Sequence, residues 1–126
     1  MATTAALKFH PRTGDSRLAA RLRRETQSEV LFDAYSRGRY STDASIYQVE
    51  PVGVVVPRTE TDAQIALQIA REERVPVLAR GGGTSQCGQT VRATLMIDHS
   101  KHLNQIVASD KDANTVCVQP GMVLDQ

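Results

Sequence analysis

Apolar positions along the chain come in short blocks whose spacing alternates between the period of a helix and that of a strand. Leu18 and Leu22, four apart among charged neighbours, predict a helix over 17–26 with one inner face. The short passage Glu29-Val30-Leu31-Phe32 follows, then a second short helix near 33–38, and Tyr40-Ser-Thr-Asp-Ala-Ser45 has the residues of a turn. Val52-Gly-Val-Val-Val56 is a continuous buried-strand run that Pro57 stops. Thr59, with Asp62 three residues on, has the spacing of a helix N-cap. Residues 60–73 then carry Ala63, Ile65, Ala66, Leu67, Ile69 and Ala70 at helical intervals. Val75-Pro-Val-Leu-Ala79 predicts the next strand, residues 80–90 a loop, and Thr94-Leu-Met-Ile97 another strand ended by Asp98. Residues 105–109 and 115–118 predict a hairpin across the turn at 110–114, and Pro120-Gly121 punctuates it.

The strand–helix–strand unit implies two parallel strands joined by a right-handed crossover. The expected fold class is therefore α+β with α/β character, a small β-sheet with a βαβ unit plus a hairpin, flanked by helices. Residues 1–28 read as a basic N-terminal arm and helix, with 1–16 loosely ordered. Met122-Val123-Leu124 has the pattern of another buried element just opening, so the chain is expected to be a fragment, truncated at its C-terminus.

Composition narrows the classes. At 126 residues the chain has room for one ordinary domain, and 40% apolar with 23% charged residues is close to a globular average. No apolar run approaches the ~20 residues that span a bilayer, so no membrane span is expected. Only 4% of residues are aromatic, so the core must be built from Val, Ile, Leu and Ala. A net charge of +1 argues against nucleic-acid binding by bulk electrostatics. Residues 1–28 hold six basic residues (Lys8, Arg12, Arg17, Arg21, Arg23, Arg24) against Asp15 and Glu25. An organelle transit peptide is one reading of that start. A solvated helix is the other, favoured because acidic residues sit among the basic ones. Cys87 and Cys117 have no CxxC or Cys/His grouping, which excludes a disulfide scaffold and a zinc knuckle and suits a reducing compartment. With no secretory h-region, a cytoplasmic protein is expected.

The loop Arg80-Gly-Gly-Gly-Thr-Ser-Gln-Cys-Gly-Gln-Thr90 carries the candidate chemistry. Three consecutive glycines weaken a fold unless positive φ or a close approach requires them. With Thr84, Ser85 and Gly88 they offer successive backbone N–H groups and two hydroxyls, the composition of an anion nest suited to phosphate or pyrophosphate. A P-loop would need Gly-Lys-[Ser/Thr], and no Lys occurs here; a dinucleotide fingerprint would need Gly where Gln86 stands. A flexible surface loop without ligand is the bland alternative. It is disfavoured because this loop sits between two buried strands.

The order of blocks is similar to the FAD-linked oxidase family, also called the p-cresol methylhydroxylase (PCMH) or vanillyl-alcohol oxidase type. The resemblance rests on Val52–Val56 with Pro57, a helix, and Val75-Pro-Val-Leu-Ala-Arg-Gly-Gly-Gly-Thr-Ser-x-x-Gly-Gln89. Leu95-Met-Ile-Asp-x-Ser-Lys101 and Val116-x-Val-x-Pro-Gly121 extend it. With Tyr40-Ser-Thr-Asp-Ala-Ser-x-Tyr47, the nearest likeness is to the branch of D-lactate, glycolate and D-2-hydroxyglutarate enzymes. The resemblance implies the N-terminal subdomain of a PCMH-type FAD-binding domain, with 29–126 its first half. It implies FAD as cofactor, the pyrophosphate wrapped by Arg80, Gly81, Gly82, Gly83, Thr84 and Ser85, with Gly88 and Gln89 continuing toward the flavin. Pro57, at the end of the first strand, corresponds to a block edge near the cofactor. Family members with covalent flavin carry a His after the paired glycines; Thr84 stands there, so noncovalent FAD is implied. The whole enzyme would oxidise a D-2-hydroxy acid to a 2-keto acid. The groups that bind and deprotonate that substrate would lie beyond Gln126, so no catalytic residue is assigned and the fragment itself would be inactive.

Other residues are read more plainly. His99 and His102 lack a third ligand in reach and read as a solvated turn, so no metal site is expected. Cys87 reads as a small buried filler and Cys117 as structural. Asp98 and Ser100 fit ligand contact or strand-end capping equally. The rival function is a stand-alone binding or assembly module with the same fold and no flavin, for which self-association of a partial sheet is the expected behaviour. A nucleotide or phosphate-sugar enzyme is a third reading.

Overall fold

The computed structural model describes residues 16–125, and the expectation for residues 1–15 lies outside them. Nine elements follow in order. They are α1 (Arg17–Glu25), β1 (Glu29–Leu31), α2 (Ala34–Arg39), β2 (Gly53–Val56), α3 (Glu60–Glu72), β3 (Val77–Arg80), β4 (Leu95–Asp98), β5 (Ile106–Asp110) and β6 (Thr115–Val118).

Local chemistry sets the ends of the long helix. Thr59 caps α3 by accepting from Asp62 N at 3.1 Å while Asp62 Oδ2 accepts from Thr59 N at 3.1 Å, a reciprocal capping box. At the other end Arg74 adopts φ 55°. Val75 N donates to Ala70 O at 2.8 Å and Arg74 N to Arg71 O at 3.2 Å, which is the Schellman closure with arginine in the place glycine usually takes. Strand β3 then begins at Val77 rather than 75, because Pro76 has no N–H to give the ladder. Its carbonyl still accepts from Leu95 N at 2.9 Å.

Four strands form one sheet in the order β1-β2-β4-β3. β2 and β3 are both parallel to β4, which slots between them, while β1 runs antiparallel along β2. The predicted βαβ unit is present, its two strands parallel but not adjacent. The passage 29–32 contributes a strand the periodicity alone did not declare.

Alternation along the strands divides the core between the two faces. On one side Val55, Leu95 and Ile97 pack with Leu18, Ala19 and Leu22 of α1 and Ala66, Ile69 and Ala70 of α3, and Phe32 lies against Gly53. α1 is therefore part of the main core; each buried leucine there contributes about 2 kcal/mol of apolar burial. Arg21 strengthens this docking by hydrogen-bonding Glu25, Glu72 and Glu73. On the opposite face Val54, Val56 and Met96 pack with Leu31, Leu78 and Tyr40.

The hairpin β5–β6 pairs as expected, with a bulge between Ile106 and Ala108. It stands away from both core clusters, leaving Ile106, Val107, Val116 and Val118 exposed. Met122-Val123-Leu124 does not open a further element within the described residues, and Leu124 is exposed.

Candidate functional site

The three parallel strands end at one edge. Register puts Val55 beside Ile97 and Arg80 beside Asp98. Pro57 after β2, the glycine loop after β3 and Ser100 after β4 therefore leave from the same carboxyl edge, the place where open parallel sheets bind ligands. Pro57 is buried there.

The glycines of the loop divide by cause. Gly83 and Gly88 have φ of 68° and 76°, where a side chain is strained, and a Cβ on Gly88 would lie 2.6 Å from the Tyr47 ring. Gly81 and Gly82 have no such excuse. A Cβ on Gly81 would meet nothing within 4 Å, and one on Gly82 would meet only Thr84 Cγ2 at 3.6 Å. No close neighbour asks these two to be glycine, so the backbone here lies open to the outside. Among the described residues the N–H groups of 81–85 donate to no protein acceptor. Successive free amides beside side-chain-free space are what an anion nest requires, and the residues present fit a diphosphate.

The hydroxyls differ in use. Thr84 is exposed. Ser85 Oγ donates to Gln89 Oε1 and accepts from Cys87 N and Gln89 N, each at 3.3 Å. Ser85 and Gln89 thus hold each other and close the second turn of the loop.

Behind the loop lies a polar group that sequence reasoning missed. Alternation sends Arg80 and Asp98 to the face opposite the long helices, and Tyr40, at the C-terminal cap of α2, covers them. Tyr40 Oη donates to Asp98 Oδ2 at 2.6 Å, while Asp98 Oδ1 accepts from Ser100 N at 2.8 Å and Ser100 Oγ at 2.6 Å. Asp98 is thus buried and fully used in strand-end capping. Burial, then the bond to Asp98, pushes the Tyr40 phenol well above its ordinary value. The Tyr40–Ser45 turn is pinned through Asp43, which accepts from Ser45 N and Oγ and from Thr90 Oγ1 at 2.9 Å. Its carboxyl is held below the usual range, chiefly by the bond from Ser45. An open cavity of about 240 Å³ lies between Arg39, Tyr40, Asp98 and Ser100 on one side and Arg80, Gly81 and Gly82 on the other. That is smaller than the roughly 300–1,000 Å³ typical of a small-molecule pocket. The signal available in sequence was the two-residue alternation of β3 and β4, which puts Arg80 on the face of Leu78 and Asp98 on that of Met96; their pairing came from the register.

Two plain readings need correction. Cys87 is an exposed free thiol rather than a buried filler, because the loop stands outside the cores; Cys117 on the hairpin is exposed as well. His99 and His102 are not simply solvated. His99 is half-buried with Nδ1 lacking a partner, and burial lowers its pKa. His102 Nε2 lies 3.0 Å from Glu29 Oε1, which also accepts from Lys101 Nζ at 2.7 Å. Among the described residues no group of three or more His, Cys, Asp or Glu could hold a metal ion, and no helix is long and apolar enough to cross a membrane.

This geometry defines a class, a sheet whose carboxyl edge carries a glycine loop with free backbone amides. The family described as "FAD binding domain" matches residues 51–126, and the chain belongs to that family. By sequence it is similar to D-2-hydroxyglutarate dehydrogenase of Escherichia coli (strain K12), 38% identical over 89 residues that cover 68% of this chain and 9% of the relative. It is also similar to glycolate oxidase subunit GlcD of Bacillus subtilis (strain 168), 40% identical over 96 residues, 73% of this chain and 20% of the relative. The chain thus spans a fifth or less of these curated relatives. By structure it resembles alkyldihydroxyacetonephosphate synthase, with TM-score 0.73 at 19% identity over 91% of this chain and 26% of that one. A carbohydrate oxidase from Microdochium nivale gives TM-score 0.68 at 20% identity, over 86% and 24%. The expected fold class and the resemblance to PCMH-type FAD-linked oxidases both hold.

Proposed function

We propose that this chain is the cofactor-holding front of an FAD-dependent oxidoreductase that oxidises a D-2-hydroxy acid to a 2-keto acid. The observation that carries the reading is the run of unpartnered amides at 81–85 beside Gly81 and Gly82, whose missing side chains the fold itself does not require. Gly81, Gly82, Gly83, Thr84 and Ser85 would hold the pyrophosphate of FAD, with Arg80 behind them, Gly88 and Gln89 shaping the second turn, and Pro57 closing the edge of β2. When bound, FAD supplies the acceptor for the two electrons that leave the hydroxy acid. Thr84 stands where family members with covalent flavin carry His and has no ring nitrogen to form that link, which supports noncovalent binding. The names of the sequence relatives support the substrate class. Residues 29–126 would form the first half of the domain behind the basic arm and helix of 1–28, with the substrate groups supplied by chain beyond it. The two free thiols suit a reducing cytoplasm.

The test is anaerobic addition of D-2-hydroxyglutarate, glycolate or D-lactate to the intact, flavin-loaded protein. Bleaching of the flavin by one of these acids is expected, and for the two chiral ones not by the L enantiomer. No bleaching by any of them would sink the substrate reading. Exposure of Ile106, Val107, Val116 and Val118 on one hairpin favours a second reading, a module that assembles through that hairpin without flavin. A protein that purifies colourless, takes up no FAD and sediments as a dimer would favour it.

A further inference from the structure

Arg80 opens the glycine loop, and its side chain turns back beneath it. Nη2 donates to Thr42 O at 2.9 Å, and Nη1 donates to Thr90 O at 3.2 Å and to Tyr40 O at 3.3 Å. The guanidinium lies over the Tyr40 ring, Cζ 5.3 Å from its centroid. Carbonyls from two separate segments, the turn at 40–42 and the far end of the loop at Thr90, converge on one cation. Among the described residues no carboxylate lies at ion-pair distance from it, and its hydrogen bonds go to neutral carbonyls. The same side chain gives Gly83 a second reason to be glycine, beside its φ of 68°. A Cβ there would lie 2.3 Å from Arg80 Nη2 and 2.7 Å from Cζ, so any side chain would push the guanidinium off its carbonyls.

We propose that Arg80 is a positioning residue rather than a direct phosphate contact: its guanidinium ties the turn at 40–42 to both ends of the glycine loop and pre-forms the amide nest, and Gly83 is glycine to leave it room. This deepens the FAD reading, on which its ligand rests. A nest shaped before the anion arrives spends less of the binding free energy on ordering the loop. Lysine would keep the charge but not the planar fork that reaches carbonyls on two segments at once.

The experiment reads amide hydrogen exchange in the intact protein without flavin, then titrates FAD, for wild type, Arg80→Lys, Arg80→Ala, Gly83→Ala and the Arg80→Ala/Gly83→Ala pair. Arg80→Lys is expected to speed exchange about tenfold at 40–43 and 81–90, leave β2 and α3 unchanged, and weaken FAD binding about tenfold. Gly83→Ala is expected to speed the same amides in wild type and to do so clearly less once Arg80 is already alanine, where only the strain of a side chain at φ 68° remains. Wild-type exchange and affinity in Arg80→Lys would overturn the proposal, because charge alone would then suffice. Additive effects of the Ala pair would overturn it too, even if Arg80→Lys failed to fold. Exchange is read without flavin, so a wild type that binds no FAD sinks the cofactor reading separately.

Discussion

Tyr40→Phe removes one hydroxyl and nothing else, since the ring stays to cover Val54, Val56 and Met96 and to carry the Arg80 cation. The lost bond is short, 2.6 Å, and ends on a carboxylate that is only 6% exposed. A hydrogen bond to a charged acceptor is worth about 1.5–3 kcal/mol, and the acceptor left without its donor is buried. Asp98 Oδ1 keeps both donors from Ser100, so the damage stays on one oxygen and a loss of about 2 kcal/mol is expected. For a domain of this size that is roughly a 10 °C fall in Tm, read by far-ultraviolet circular dichroism. The pH dependence gives an independent check. The Tyr40 phenol is raised in the folded state, so its contribution is complete below the ordinary tyrosine value of about 10 and fades as pH climbs through the folded one. The gap between wild type and Tyr40→Phe should therefore narrow in strongly alkaline buffer. A variant that melts within roughly 2 °C of wild type at neutral pH would refute the claim that buried Asp98 depends on the bond from Tyr40.

Two further perturbations test the frame that carries the site. Asp62 caps α3 and also accepts from Gln27 N at 2.9 Å, joining the α1–β1 turn to the helix; Asp62→Ala should cost about 2–3 kcal/mol in urea unfolding. Burial raises its carboxyl pKa, but the bonds from Gln27 and Thr59 outweigh that and lower it, so this stability is present above the unfolded value and lost as pH falls through the folded one; a stability difference unchanged between pH ~6 and ~2 would contradict that. Arg74 sits at φ 55° with a side chain, so Arg74→Gly should stabilise by up to about 1 kcal/mol, and destabilisation would mean the Schellman geometry is not what closes α3.

Most of the fold was legible because its periodicities are clean. Val52–Val56, the Thr59–Asp62 cap and the 60–73 stripe each name one element. The strand β1 was not, because at three residues, Glu29–Leu31, it is too short to show alternation. The insertion of β4 between β2 and β3 was also hidden, since strand order depends on pairing across the chain and not on local pattern. The glycine loop announced itself by composition, because Gly81 and Gly82 have no local use. The Arg80–Tyr40–Asp98 group did not, since its members are 40 and 58 residues from Tyr40 in sequence and only the sheet register brings them together. Cys87 was misjudged for a related reason: a small residue in a glycine loop carries no mark of which side faces solvent.

The most direct test of the central claim is a calorimetric FAD titration of the intact protein beside its Gly81→Ala variant. A methyl at position 81 meets no protein atom within 4 Å beyond its chain neighbours, so it tests the open side of the loop without crowding the fold. The account predicts an unchanged or slightly raised Tm together with an FAD affinity at least about tenfold weaker, equal to about 1.4 kcal/mol. Equal FAD affinity in the two proteins would contradict it.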